Sequence, residues 1–199
     1  MNNDDKYKTI DAPSAGIYKE KGSKFLAFAY SVSNENEIKI ILAQLKKEYF
    51  DARHHCYAYR LGTKGETFRA NDDGEPSGTA GKPIYGQMLS FNVTNIFIVV
   101  IRYFGGIKLG TSGLITAYKT AAADALKNAK IIEKTELQII SFRFNYNAMN
   151  DIMKFIKTEN IEIAEQNLEL NCNMKIKVAA SKAAEISKRL LKIENVFIN

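Results

Sequence analysis

The densest group of chemically useful residues lies in residues 102–113, which read RYFGGIKLGTSG. Glycines let main-chain N–H groups converge on an anion, and a helix that starts after them adds the positive end of its dipole. Arg102 and Lys108 add full positive charges. This combination suits a phosphate or a carboxylate, and it predicts an anion site made of Arg102, Gly105, Gly106, Lys108, Gly110, Thr111 and Ser112, with Lys82 as a further cation.

Other interpretations of this glycine segment have less support. It contains neither the Gly-Lys-Ser/Thr of a phosphate-binding loop nor Gly-x-Gly-x-x-Gly, which disfavours ATP and dinucleotides. The glycines alternatively serve only a tight strand-to-helix turn, with Thr111 or Ser112 as the helix N-cap. We favour anion binding because a turn alone does not require Arg102 and Lys108.

The second group is the loop at residues 71–83, NDDGEPSGTAGKP, which we call the acidic loop. Its crowded carboxylates could bind a hard cation or share a proton, since nearby like charges raise one another's pKa. The spacing of a calcium-binding EF-hand is missing, so no metal site and no cofactor are predicted. The simpler alternative is that the acids cap turns while Gly74 and Gly78 supply positive φ. Candidate acid/base or cleft-lining residues here are Asp72, Asp73, Glu75, Ser77 and Thr79.

The third group is His54-His55-Cys56. Successive side chains of a strand point to opposite faces, so only one of the two histidines can face a cleft. We predict that His55 lines the cleft as a candidate acid or base; a half-buried strand histidine is the alternative. Zinc spacings are missing, and Cys56 is expected to be a buried, inert thiol. A serine hydrolase is disfavoured because neither Ser77 nor Ser112 lies in Gly-x-Ser-x-Gly.

Hydrophobic patterning predicts the elements that hold these residues. Strands are expected at residues 16–21, 23–30, 55–61 and 96–101. Helices are expected from Asn34, whose spacing from Glu37 forms a capping box, and at residues 83–91 and 114–129. Residues 68–83 are expected to form a loop because they are rich in turn formers.

Past Lys134 the pattern restarts and predicts a second domain. The expected order is a strand at residues 136–146, a helix at 147–159, two strands that meet at residues 171–173, a helix opened by Ser181 and a last strand at 196–198. This βαββα order suits a small ferredoxin-like α+β unit. We therefore predict an N-terminal domain at residues 1–134 and a C-terminal domain at 135–199.

Composition bounds the function classes. The 199 residues carry 28 Lys+Arg against 22 Asp+Glu, a net charge of +6 that permits a polyanion partner without requiring one. Cys56 and Cys172 are the only cysteines, which excludes a disulfide framework and favours a reducing compartment. The first residues do not resemble a signal peptide, and the longest apolar run is far shorter than the roughly 20 residues of a membrane helix. The expected location is the cytoplasm, without membrane association.

Two stretches resemble the signatures of the YigZ/IMPACT family: residues 71–83, and residues 100–118, VIRYFGGIKLGTSGLITAY. The segments DARHHC at residues 51–56 and GSKF at 22–25 are also similar to family segments, in the expected order. The sequence departs from the family pattern at Thr116, where a basic residue is common, and at Ser112, where glycine is usual.

The resemblance implies an α+β protein. Its N-terminal β/α domain would be similar to the ribosomal protein S5 domain 2-like fold, and its ferredoxin-like C-terminal domain would resemble an elongation factor G domain. It also implies a link to translation. Control of an eIF-two-alpha kinase is associated with a preceding RWD domain, for which these residues have no room, so only the link to translation is carried over.

The leading hypothesis is a non-enzymatic, translation-associated protein that binds RNA, a ribosome-associated partner or another phosphate-bearing ligand along the glycine segment, with residues 72–82 closing over it. The alternative is an enzyme that uses the acidic loop and a strand histidine on a small phosphorylated or carboxylate substrate. A protein-binding module is the third hypothesis. The sequence does not indicate an oligomeric state.

Overall fold

The computed structural model describes residues 5–169 and 172–198. Its chain divides into two compact units. One is Tyr7–Lys134, and the other combines Thr135–Asn199 with the chain start up to Lys6. The architecture is mixed α+β, as expected.

The first unit is built on a five-stranded sheet with the strand order β2-β3-β6-β4-β5. The strands of this part of the chain are β1 (Lys6–Ile10), β2 (Ser14–Glu20), β3 (Ser23–Ser31), β4 (His54–Leu61), β5 (Thr67–Asn71), β6 (Ile96–Tyr103) and β7 (Ile131–Thr135). Its helices are α1 (Glu35–Glu48), α2 (Gly81–Ser90) and α3 (Gly110–Lys127). Strands β1 and β7 form a separate two-stranded sheet.

The central strand β6 is covered on both faces, as its continuous apolar sequence predicts. Alternation along β6 sends Ile98 and Val100 into one core, which includes residues of α2 and α3. Val99 and Ile101 enter a second core, which includes residues of α1. The same alternation decides which strand side chains can reach the α3 side of the sheet.

Several predicted elements are confirmed because their signals are local. The hairpin of β2 and β3 is present, and the Asn34 side chain accepts a hydrogen bond from the Glu37 amide at the start of α1. Other predictions are wrong. Residues 67–71 form an edge strand paired with β4, and β1 and β7 were not predicted.

The second unit has a four-stranded antiparallel sheet with the order β11-β8-β10-β9. Its elements are β8 (Leu137–Phe144), α4 (Met149–Thr158), β9 (Glu162–Asn167), β10 (Cys172–Ala179), α5 (Ala183–Leu190) and β11 (Val196–Ile198). This is the predicted ferredoxin-like arrangement.

Two details of the second unit fall outside or against the predictions. The expected strand junction includes Asn171, which lies outside the described residues. Ser181 does not cap α5, whose N-cap is Lys182, because the Ser181 amide and hydroxyl bond to the Asp5 carboxylate.

A close approach of α3 to the edge strand β2 requires glycine at position 16. A methyl group at Gly16 would lie 2.2 Å from the backbone nitrogen of Ala125. Gly86, in the interior of α2, has no neighbouring atom within 4 Å of such a methyl group. The two glycines therefore have opposite packing requirements.

We expect Gly16→Ala to lower the free energy of unfolding by about 1–3 kcal/mol through overpacking. The matched control Gly86→Ala should raise it by about 0.5–1 kcal/mol, because alanine has the higher helix propensity. Urea unfolding of both variants measures these changes. If Gly16→Ala did not lower the free energy of unfolding, α3 would be able to move away from β2 at little cost.

Candidate anion-binding site

A cavity of about 480 Å³ lies where the end of β6, the start of β4 and the N-terminus of α3 meet. Its volume is within the range of about 300–1,000 Å³ that is usual for ligand pockets. The lining residues are Arg53, His54, Gly74, Glu75, Pro76, Arg102, Phe104, Lys108, Leu109, Gly110, Thr111 and Leu114.

Strand register brings the central side chains of this cavity together. Arg102 on β6 is the direct cross-strand partner of His54 on β4 and of Phe25 on β3. Directly opposed residues of antiparallel strands have Cβ atoms about 4.5–5.5 Å apart and share one face. The Arg102 guanidinium lies over the Phe25 ring, 5.4 Å from its centroid, and 5.6 Å from the centroid of Phe104.

Arg102 forms a buried ion pair with Glu75 of the acidic loop. The Arg102 Nη1 to Glu75 Oε1 distance is 2.6 Å, and both side chains are more than nine-tenths buried. The Tyr118 hydroxyl of α3 donates to the same carboxylate oxygen at 2.8 Å. Glu75 therefore ties the acidic loop to β6 and α3 at one point, and its negative charge offsets that of Arg102.

Cys56 and Tyr118 extend this network into the core as neutral groups. The Cys56 thiol donates to the Asp72 carbonyl oxygen at 2.9 Å and lies 3.3 Å from the Tyr118 hydroxyl oxygen. Burial raises the pKa of the Cys56 thiol and of the Tyr118 hydroxyl well above their ordinary values. A protonated, buried thiol is a poor nucleophile, so Cys56 is inert, as expected.

His54, and not His55, faces the cavity. Its Nδ1 lies 2.8 Å from the carbonyl oxygen of Asp73. Because a carbonyl oxygen only accepts, Nδ1 carries the hydrogen of this bond. The other ring nitrogen, Nε2, lies 4.0 Å from Glu75 Oε1. The ring is thus held in one orientation beside the buried carboxylate.

The prediction that His55 lines the cleft is wrong, because alternation places it on the opposite face of β4. It is 6% exposed and lies near Asp73, whose carboxylate accepts a hydrogen bond from the His55 amide at 2.6 Å. Burial lowers the pKa of His55, and Lys46 adds to this, while Asp73 opposes it. His55 is therefore a buried strand histidine, more buried than the half-buried one of the alternative interpretation.

Asp72 holds the acidic loop in shape. Its carboxylate accepts hydrogen bonds from the amides of Gly78, Ala80 and Gly81 at 2.8–3.0 Å. Burial opposes its ionisation, but these three bonds outweigh burial and leave the pKa of Asp72 below its ordinary value. The amide of Gly81, the first residue of α2, is thus bonded to Asp72. The N-cap residue of α2 itself provides no side-chain hydrogen bond.

The glycine segment is exposed, but it provides fewer free amides than predicted. The Gly105 amide donates to the Ser23 hydroxyl at 3.2 Å, and a methyl group at Gly105 would lie 1.9 Å from Gly22. Gly105 therefore serves close backbone packing. Gly106 and Gly110 have φ of +90° and +72°, which favours glycine at both positions.

Helix α3 begins earlier than predicted, at Gly110 rather than Leu114. Its N-cap is Leu109, without a side-chain cap, so neither Thr111 nor Ser112 is the N-cap. Gly110 and Thr111 line the cavity. The amides of a helix's first turn lack intrahelical acceptors, so this helix start presents donors and positive dipole charge to the cavity.

The uncompensated charge of the cavity comes from Arg53 and Lys108. Both line the cavity and are exposed, and within residues 5–169 and 172–198 neither forms an ion pair. The Arg102 charge is offset by Glu75. Two side-chain cations and the start of α3 therefore give the cavity a net positive character, although Glu75 lies within it.

The remaining predicted site residues lie elsewhere. Lys82 is exposed and does not line the cavity, and Gly106 does not line it either. Ser112 lines a separate cavity of about 280 Å³. Thr79 is buried and donates to the Pro76 carbonyl oxygen, while Ser77 is exposed away from the cavity lining.

Sequence reasoning missed four important side chains: Arg53, His54, Phe104 and Tyr118. A signal existed for His54, because residues two apart on a strand lie on the same face and Cys56 was expected to be buried there. Tyr118 lies in the middle of an Ala-rich helix, and nothing local shows that it reaches Glu75 from there.

Two absences hold for the described part of the chain. No group of three His, Cys, Asp or Glu side chains there could hold a metal ion. None of the described helices has the length and apolar character needed to cross a membrane.

The comparisons with known proteins agree on the family. The Impact N-terminal domain matches residues 21–126. The chain is 32% identical over 181 residues to the IMPACT family member YigZ of Escherichia coli strain K12, covering 90% of this chain and 89% of that protein. It is 31% identical over 173 residues to the IMPACT family member YvyE of Bacillus subtilis strain 168, covering 87% and 80%.

A solved structure supports the whole fold. A crystal structure described as that of a hypothetical protein matches with a TM-score of 0.73 and 29% identity, covering 98% of this chain and 96% of the other. The fold is that of a two-unit α+β protein. The chain belongs to the IMPACT family.

The buried pair of Arg102 and Glu75 should behave as a structural unit. We expect Arg102→Met to lower the free energy of unfolding by about 3–5 kcal/mol, because it leaves a buried carboxylate unpaired. Combining it with Glu75→Gln should cost less than Arg102→Met alone, since no unpaired charge then remains. Chemical denaturation measures Arg102→Met, Glu75→Gln and the double variant. If the costs of the two single substitutions simply add in the double variant, the interpretation is contradicted.

The Asp72 carboxylate should stabilise the protein in a pH-dependent way. We expect Asp72→Asn to lower the free energy of unfolding at pH 7 by about 1–3 kcal/mol. Because the folded pKa of Asp72 is lowered, its contribution is complete above the unfolded pKa of about 3.9 and is lost as the pH falls through the folded pKa. The control Asp11→Asn, at an exposed carboxylate, should change stability far less. A pH-independent difference between wild type and Asp72→Asn would contradict this role.

Proposed function

We propose that this protein is a translation-associated regulatory protein that binds RNA phosphates through the cavity at the start of α3. In this proposal the domain of residues 1–134 carries the binding site, residues 135–199 form the second domain, and the protein acts in the cytoplasm. The single observation that carries the proposal is the pairing of two uncompensated cations, Arg53 and Lys108, with an uncapped helix start in one cavity.

The chemistry of the cavity supports an anionic ligand. Main-chain amides at a helix N-terminus favour negative charge, and phosphate is a frequent ligand there. Arg53 and Lys108 line the cavity, are exposed and add positive charge to it. The net charge of +6 for the whole chain is consistent with a polyanion partner.

The link to translation rests on family membership. The resemblance to eukaryotic IMPACT proteins implies translational control, and the family match covers the unit that holds the cavity. The mouse Protein IMPACT is 36% identical over 96 residues, which is 46% of this chain and 30% of that protein. The shared part is less than half of either protein, so it supports a relationship between the shared segments alone.

The test uses the exposed cations, since Arg102 also holds the fold together. We expect Arg53→Ala/Lys108→Ala to reduce co-sedimentation with ribosomes or single-stranded RNA, and to reduce the slope of log affinity against log salt by about 1.4 between about 50 and 200 mM salt. Lys119→Ala, an exposed lysine farther along α3, is the matched control. The same binding by wild type and the double variant would remove the proposal.

An acid/base enzyme is the second candidate, and the observation that favours it is the orientation of His54. A histidine whose Nδ1 is held by a carbonyl oxygen while its ring lines a cavity has the position of a general base. If this candidate is correct, the wild type turns over a small phosphorylated or carboxylate substrate and His54→Gln does not. Binding without turnover by the wild type would favour the regulatory protein.

A further inference from the structure

The cavity has a buried inner wall and an exposed mouth. Glu75 and Arg102 are 9% and 6% exposed, whereas Arg53 and Lys108 are exposed residues. The buried pair therefore lies on the inner side of a cavity whose other lining residues are mostly exposed.

The charge of the cavity matches a dianion better than a monoanion. Arg53 and Lys108 contribute two charges that no described ion pair offsets, and the α3 N-terminus adds roughly half a charge. A phosphate monoester carries about −1.5 to −2 at pH 7 and offers three acceptor oxygens. An internal phosphodiester carries only a single negative charge.

Arg102 retains hydrogen-bonding capacity beside this ligand space. Its Nη1 donates to Glu75, but its buried Nε has no hydrogen-bond partner among the described residues. A guanidinium has five N–H donors, and a buried donor without an acceptor is energetically unfavourable. Nε is shielded from solvent, so a contact between the guanidinium and a ligand would use the Nη hydrogens that Glu75 does not accept.

An apolar wall lies next to the cations. Phe104 lines the cavity and is 46% exposed, with Leu109, Leu114 and Pro76 also in the lining. The Arg102 guanidinium lies near the Phe104 ring, 5.6 Å from its centroid. A half-exposed aromatic ring beside a cationic pocket is a stacking surface for a nucleobase, since every base has a π-face.

We propose that the cavity binds the terminal phosphate monoester of an RNA strand, with the terminal base against Phe104. This inference rests on the proposed function and specifies its ligand. The phosphate contacts Lys108, Arg53 and the first amides of α3, while the buried Glu75–Arg102 pair lines the inner side of the cavity.

The experiment compares three forms of one RNA of about eight nucleotides, a length within the usual site size of single-strand binders. The forms carry a 5′-phosphate, a 3′-phosphate or hydroxyl groups at both ends, with an internal fluorescent label, and affinity is read by anisotropy. We expect one phosphorylated form to bind about tenfold tighter than the hydroxyl form, which is the size of one charge-assisted contact.

Variants locate the effect on the full-length protein. Lys108→Ala should abolish the advantage of the phosphorylated form, and the control Lys119→Ala should keep it. Phe104→Leu should weaken all three forms by roughly fivefold or more, since the stacking surface is lost. Adenosine monophosphate serves as competitor, and we expect it to bind more weakly than the phosphorylated RNA.

The outcomes separate this inference from the proposed function. If all three RNAs bind within about twofold of one another and Lys108→Ala still weakens them, RNA binding stands and the end-specific inference is overturned. Adenosine monophosphate that binds as tightly as the phosphorylated RNA also overturns it, in favour of a free nucleotide. Absence of binding by every form overturns both proposals.

Discussion

The buried ion pair between Arg102 and Glu75 is the constraint on which the site depends. A buried carboxylate is tolerable only when it is paired and hydrogen-bonded, and Glu75 meets both conditions through Arg102 and Tyr118. Because these three residues come from β6, the acidic loop and α3, the pair holds three segments of the first unit at one point. The cavity is the space that remains beside that point.

The same pair divides the basic residues into two kinds. Arg102 is structural, since its charge is offset and its side chain is packed between aromatic rings. Arg53 and Lys108 are exposed, and neither forms an ion pair with another described residue. The acidic loop, which sequence reasoning treated as a candidate proton carrier, instead supplies the counter-ion of Arg102 through Glu75. Asp72 fixes the shape of the loop by accepting hydrogen bonds from three of its amides.

Local signals in the sequence were sufficient for much of the fold and for the general place of the site. The Asn34 capping box, the β2–β3 hairpin and the apolar β6 each depend on neighbouring residues. The face of His54, the partner of Arg102 and the reach of Tyr118 depend on strand register and helix packing between residues far apart in the chain. Gly105 shows the same limit, because its amide is bonded to Ser23, 82 positions earlier.

The most direct measurement is an NMR titration of the ¹⁵N-labelled protein with inorganic phosphate, followed through backbone amide shifts. If the cavity at the start of α3 takes an anion, the largest shifts fall on Gly110 and Thr111, with smaller ones at Lys108, and they are lost in Lys108→Ala. Shifts that leave these amides unchanged, or that cluster on another surface, would contradict an anion site held in place by the Arg102–Glu75 pair.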